Sequence, residues 1–244
     1  MNNYKIIIQY DGSGFQGWQI QAKGKTVQGE IKRALEVLLK HEVVLTGAGR
    51  TDTGVHALGQ VANFKSEQTL DFYRFKHSLN SMLPFTIRIR SMESVPESFN
   101  SRFDALSRSY VYFISNSPSP FNFRFIYNYH YPLNVSLLNI LSRPLTGMHD
   151  FSSFTKYAKD RENFDCNIKS LKWTRIKDNV VFFIEADRFL HGMVRAITGT
   201  VLRLAKEGGT ENDMNDILNS KNREKAFGSV PAKGLFLYKI KYQV

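Results

Sequence analysis

A chain of 244 residues, 42% hydrophobic and 13% aromatic, carries enough apolar material for one large domain or two small ones, which excludes an intrinsically disordered chain. Its 33 Lys and Arg against 22 Asp and Glu leave a formal charge of +11, which points to a polyanionic partner, nucleic acid being the commonest. A single cysteine, Cys166, excludes an intrachain disulfide and a cysteine-rich zinc site, and no apolar run reaches the length of a membrane span.

The predicted elements begin with a strand at 4–10. The chain opens into it through YKIIIQY without signal-peptide architecture, so a cytoplasmic protein is expected. GSGFQG at 12–17 then fits G-x-G-x-x-G. A dinucleotide fingerprint also needs a helix opening on those glycines, so that its amides meet the pyrophosphate. The pattern starts a helix only at Thr26, and a flexible glycine turn is the better reading. In that helix Val27, Ile31, Leu35 and Leu38 recur at helical spacing, and Thr26 can cap its first amides. Strands at 43–46 and 58–64 flank GAGRTDTGVHALGQ (47–60). A helix over 70–82 and strands at 86–94 and 103–115 follow.

The second half has aromatic-rich strands, a helix near 134–143, and a strand pair over 168–187 turning at Asp178 and Asn179. The longest helical segment is 190–206, with Leu190, Val194, Ile197, Val201 and Leu204 as its apolar stripe and His191 and Arg195 one turn apart on the other side. A short helix near 210–219 and a strand at 235–242 complete the series. FNFRFIYNYHY at 121–131 puts six aromatics on alternate positions, one face of a strand; burial or dimer packing is favoured over a stacking platform for bases. Cys166 is expected in the core. Strands and helices mix without strict βαβ alternation, which predicts an α+β protein of two α/β halves, 1–104 and 105–244, joined through a mixed sheet.

Asp52 is the acid around which chemistry can be built. Taken alone, Thr51, Asp52, Thr53 and Gly54 read as a surface turn. No Lys-Ser or Lys-Thr follows the glycines as in a phosphate-binding loop, and no second acid adjoins Asp52 as two-metal hydrolysis prefers. A lone ionised aspartate beside arginines suits nucleophilic or general-base work. In RSYVYF (108–113), Arg108 and Tyr110 share a strand face, although a strand tyrosine is more often core. Arg195 in FLHGMVR reads as a surface group, a reading weakened by the small neighbours Gly192, Ala196 and Gly199.

Taken together, YDGSGFQGWQIQ, TVQGEI, GAGRTDTGVHALGQ, SFNSRFDALSRSYVYFI, GMHDFSSF, FLHGMVRAITGT and GLFLYKIKY resemble, in order and spacing, the tRNA pseudouridine synthase A (TruA) family over almost the whole chain. GRTDTGVHA is the most specific of them. The resemblance implies isomerisation of uridine to pseudouridine at nucleotides 38, 39 and 40 of the tRNA anticodon stem-loop, with neither cofactor nor metal. It implies the pseudouridine synthase fold, two α/β halves sharing an extended, mostly antiparallel mixed sheet with the catalytic cleft between them, in a homodimer. By motif position Asp52 is the catalytic aspartate, Arg50 helps hold the flipped nucleotide, and Tyr110 stacks on uracil. Arg195 pairs with the aspartate, and Leu237 covers the base. The sequence departs from the family at Asn100, which replaces a more frequent His, at Thr53, which replaces Ala, and at LAKEGG (204–209). From charge alone the competing reading is a catalytically silent, basic RNA-binding protein; a metal-dependent nuclease is disfavoured by the isolated acid.

Overall fold

The computed structural model describes residues 1–117, 119–155 and 163–243. In chain order its elements are β1 (Asn2–Tyr10), α1 (Val27–Leu39), β2 (Thr46–Gly47), β3 (His56–Ser66), α2 (Phe72–Met82), β4 (Ile87–Val95), β5 (Ser107–Ser115), β6 (Tyr127–Asn128), α3 (Val135–Ser142), β7 (Gly147–Asp150), β8 (Asp165–Ile176), β9 (Asn179–Ala186), α4 (Met193–Glu207), α5 (Glu211–Asn219) and β10 (Leu235–Lys241). This is the mixed α+β class expected from the pattern. The chain divides into two units, one of Met1–Leu106 with Phe236–Val244 and one of Ser107–Leu235. No helix among the described residues is long and apolar enough to cross a membrane.

The first unit is a sheet in the order β4-β1-β3-β10, antiparallel except that β10 runs parallel to β3. β1 alternates, burying Tyr4, Ile6, Ile8 and Tyr10, and Ile6 lies opposite both Ala62 and Met92. The predicted helix is α1, and Thr26 Oγ1 accepts from the Gly29 amide at 3.2 Å as its cap. Val27, Ile31 and Leu35 are fully buried, and Leu39, one true turn beyond Leu35, takes the place expected for Leu38. Each such side chain contributes at most about 1.5–3 kcal/mol.

The predicted strand at 43–46 fails for a backbone reason. Val43 donates its amide to Glu36 Oε1 at 3.1 Å, and the Leu45 carbonyl accepts from Gln28 Nε2 at 2.8 Å. Side chains of α1 thus take the groups that a ladder would need, and pairing begins only at Thr46, opposite Asn63. β3 begins earlier than predicted, at His56, and carries a bulge. Ile8 faces Gln60 and Tyr10 faces Ala57, so β3 spends three steps where β1 spends two. β10 passes close by, since a Cβ on Gly59 would lie 2.4 Å from the Tyr238 carbonyl oxygen.

In the second unit the order is β5-β9-β8-β7, antiparallel throughout, with β6 parallel to β5. β8 and β9 are the predicted pair, with the turn one residue earlier than expected, where Lys177 takes φ 53°. The core gathers Trp173 stacked on Phe182 at 4.4 Å and the buried faces of α3, α4 and α5, and Cys166 is buried as expected. α4 starts at Met193, so Leu190 and His191 precede the helix instead of extending its faces. α5 opens on a capping box between Thr210 and Asp213.

The aromatic run 121–131 is not the long strand that its alternation predicts. Phe125 N donates to the Asn122 carbonyl and Asn122 N to that of Ser119, a local turn, so pairing with β5 begins only at Tyr127, opposite Ile114. Nor is the start of the run packed within this chain, where Phe121 is 95% exposed and Phe123 51%.

Candidate active site

In the first unit the stretch 47–60 leaves the sheet at Gly47 and re-enters it at His56, so Asp52 stands at the tip of a loop anchored at both ends. Ala48 N donates to the Val61 carbonyl at 2.8 Å, and Gln60 Nε2 donates to that of Gly49 at 2.8 Å. Val55 N donates to the Asp52 carbonyl at 3.1 Å, closing a tight turn in which Gly54 takes φ 77°. Thr51 is buried, with its hydroxyl 2.8 Å from that of Tyr10 and its carbonyl accepting from Trp18 N at 3.1 Å. The Asp52 side chain is half-buried and Arg50 is exposed.

GSGFQG proves to be the other half of this turn. A Cβ on Gly12 would lie 2.0 Å from the Val55 carbonyl oxygen, and one on Gly17 2.6 Å from that of Thr51. Gly17 also takes φ 83°, which an L side chain resists. These glycines let one backbone lie directly on another, so the segment is a clamp on residues 51–55 and not the free, flexible turn expected. Gly47 instead makes room for a side chain, since a Cβ there would come within 2.6 Å of the Trp18 indole ring. The clamp continues into β3. His56 is fully buried and stacks on Phe236 at 4.6 Å. Its Nδ1 accepts from Gly12 N at 3.0 Å and lies 3.1 Å from Asp11 Oδ1. Leu237, also fully buried, faces Ala57 across the parallel β10–β3 pair, on the strand beside the one that leaves the Asp52 turn.

Tyr110 and Arg195 belong to the second unit. Tyr110 is buried on β5 opposite Ile184, and its ring meets the edge of Phe189 at 5.1 Å. On the same strand Arg108 donates to the Asp187 carbonyl at 2.8 Å. Arg195 lies in the first turn of α4, and its Nε donates to the Val230 carbonyl at 2.8 Å while Val230 N donates back to the Arg195 carbonyl at 3.2 Å. Residues 228–231 thus form a strap across α4. The strap is held from its other side by Tyr112, whose hydroxyl donates to the Pro231 carbonyl at 2.7 Å. Burial pushes the Tyr112 phenol well above the usual tyrosine range, with nearby Tyr127 adding to the shift and Arg195 opposing it. Tyr112 therefore remains a neutral donor at any ordinary pH.

The strap can lie this close because α4 has no side chain at Gly199, where a Cβ would come 2.0 Å from the Gly228 carbonyl oxygen. On an open helix surface Gly→Ala gains about 1 kcal/mol. Gly199→Ala should instead lose about 1–3 kcal/mol, since backbone must move to admit the methyl group. Thermal unfolding reads the sign directly.

Sequence reasoning singled out Arg50, Asp52 and Leu237, which lie in the first unit, and Tyr110 and Arg195, which lie in the second. It missed the supporting groups Tyr10, Gly12, Gly17, Trp18 and Val230. The glycine pattern and its distance from the next helix were visible signals for the clamp; nothing in the sequence pairs Val230 with Arg195.

A family model described as tRNA pseudouridine synthase matches residues 6–104 and 141–243 of the chain. The chain is 42% identical over 240 residues to the tRNA pseudouridine synthase A of Brachyspira hyodysenteriae, covering 97% of this chain and 96% of that one. It is 39% identical over 242 residues to the tRNA pseudouridine synthase A of Azobacteroides pseudotrichonymphae, covering 99% and 97%. A chain in the crystal structure of a Cbf5-Nop10-Gar1 complex is a distant likeness, with TM-score 0.36 and 10% identity over 80% of this chain and 52% of that one.

Proposed function

Since the chain belongs to the tRNA pseudouridine synthase family, and so isomerises uridine to pseudouridine in tRNA, we propose that Asp52 is the residue that starts the reaction. The observation that supports this is the clamp. Two glycines, a buried threonine and a tryptophan hold the backbone on either side of one carboxylate, which is far more construction than a surface turn requires. In the isomerisation the bond from ribose C1′ to uracil N1 breaks, the base turns, and C5 bonds to C1′. The C5 proton leaves as N1 acquires one, so the product has the composition of the substrate. Asp52 either adds to C1′ or removes the C2′ proton, and both roles need an ionised, reachable carboxylate.

The other roles carry over from the family motifs. Arg50 steadies the nucleotide once it has left its stack, which costs unstacking energy. Tyr110 stacks on the uracil and assists loss of the C5 proton. Arg195, fixed through Nε by Val230, supplies the positive charge that keeps the aspartate ionised, and Leu237 is the apolar wall against the base. The same reading takes nucleotides 38, 39 and 40 of the anticodon stem-loop as the targets and a cytoplasmic homodimer as the working form.

Chemical mapping of pseudouridine in unmodified tRNA after incubation with the protein tests activity and target positions together. New pseudouridine at 38, 39 or 40 is the expected result. A protein that binds the tRNA and leaves every uridine unchanged would be a silent RNA-binding protein instead.

A further inference from the structure

Past the strap, α4 presents a second charged surface. Lys206 lies eleven residues beyond Arg195, close to three full turns, so the two side chains leave the helix within about 20° of each other and about 16 Å apart along its axis. Near Lys206, residues 228–231 floor an open groove of about 400 Å³ whose walls include Tyr127, Tyr129, Tyr131, Arg203, Lys206 and Phe227. Among the described residues its lining has two cations and no carboxylate.

The cations and rings alternate. Tyr127, Tyr129 and Tyr131 form a ladder with centroids 5.9 and 5.4 Å apart. Lys206 Nζ stands 3.8 Å from the centre of the Tyr131 ring, and Arg203 lies 5.6 Å over Phe227. Arg203 is also paired with Glu207, which offsets its charge; Lys206 has no carboxylate within ion-pair distance among the described residues. Tyr131 is 45% exposed. None of these groups has a part in the proposed chemistry, and aromatic faces beside an uncompensated ammonium are the means by which proteins hold unpaired RNA, the base on the ring and the phosphate on the cation. Aromatic residues are also common where proteins meet. A second copy seated here on its own like patch would set these cations against each other, however, whereas RNA supplies the opposite charge.

We propose that this groove is a nucleotide subsite for tRNA. It holds one unpaired nucleotide other than the one that reacts, with its base against Tyr131 and Tyr129 and its phosphate at Lys206. The proposal rests on the reading of the protein as a tRNA enzyme, and binding measured across a salt series separates the two.

Lys206→Glu, in the full chain, should weaken binding to an unmodified tRNA transcript about tenfold or more and make the slope of log affinity against log salt shallower by about 0.7–0.9, the loss of one phosphate contact. Tyr131→Ala should weaken binding about fivefold to a hundredfold without changing the slope, and Lys206→Arg should retain wild-type affinity. Unchanged thermal midpoints establish that the variants are folded. If the wild-type protein modifies tRNA and both Lys206→Glu and Tyr131→Ala bind with its affinity and slope, the subsite is overturned while the enzyme reading stands. If the two variants change the sedimentation of the free protein and leave tRNA binding untouched, the groove joins copies of the chain and the proposal is again overturned. A wild-type protein that neither binds nor modifies tRNA overturns the enzyme reading and the subsite together.

Discussion

Asp52→Asn protein should fold, bind tRNA and form no pseudouridine. The substitution keeps the size and shape of the side chain and leaves the clamp intact, since that is made by backbone and by Tyr10, Thr51 and Trp18. What it removes is the ionised oxygen. A carboxamide neither adds to C1′ nor accepts a proton, so the rate should fall by at least about a thousandfold. Stability should change by less than about 1 kcal/mol, which in a chain of this size moves the thermal midpoint by roughly 2–4 °C at most. Quantitative mapping of pseudouridine, with melting and tRNA binding measured on the same preparation, checks all three. Undiminished product from the variant would remove Asp52 from the mechanism.

Gly12→Ala is the complementary experiment, because it leaves every side chain of the proposed chemistry in place. Its methyl carbon would lie 2.0 Å from the Val55 carbonyl oxygen and 2.6 Å from the carbonyl carbon, and neither backbone atom can swing aside as a flexible side chain would. To reach ordinary contact the turn must retreat by about 1 Å, a displacement able to cost about a hundredfold in rate when it falls on a reacting group. We expect turnover to drop roughly 10–100-fold, with tRNA affinity much less affected. Stability should fall by about 2–3 kcal/mol, or roughly 4–12 °C in the midpoint. Gly14→Ala is the matched control, since a Cβ there meets nothing within 4 Å and both readings should stay at wild type. Equal effects at the two positions would mean that the clamp has no bearing on Asp52.

These two glycines also show where the sequence was legible and where it was not. Local signals translated well. Thr26 capping α1 is decided by residues near one another in the chain, and α1, β1 and α5 each formed close to where they were predicted. The errors arose where hydrogen bonds outside the ladder, or close backbone approach, decide the outcome. Residues 43–46 have a strand's composition, but Glu36 and Gln28 claim their backbone groups. The run 121–131 has a strand's alternation, but its hydrogen bonds close locally. GSGFQG resembled a cofactor loop because both demand close backbone approach; the approach here is to residues 51–55 and not to a phosphate. Asp52 was legible through its surroundings in GRTDTGVHA, whereas the device that fixes it is a matter of space.

Asn100, the departure from the family's more frequent histidine, has a local explanation. Its Oδ1 accepts from Arg102 N at 2.9 Å and Phe103 N at 3.2 Å, so the short amide shapes the turn that leads towards β5.

The first unit is discontinuous in the chain: β10, with Leu237, is encoded after the whole of the second unit. On a ribosome, β3 therefore emerges long before its parallel neighbour. At about 5–20 residues per second, the 168 residues between Ser66 and Leu235 take roughly 8–34 s to synthesise. During that interval the end of β3 that follows the Asp52 turn is an unpaired edge, open to wrong partners. The N-terminal part of the protein thus finishes last, and a translational stall between the two units would strand a chain with the Asp52 turn made and the strand that carries Leu237 still missing.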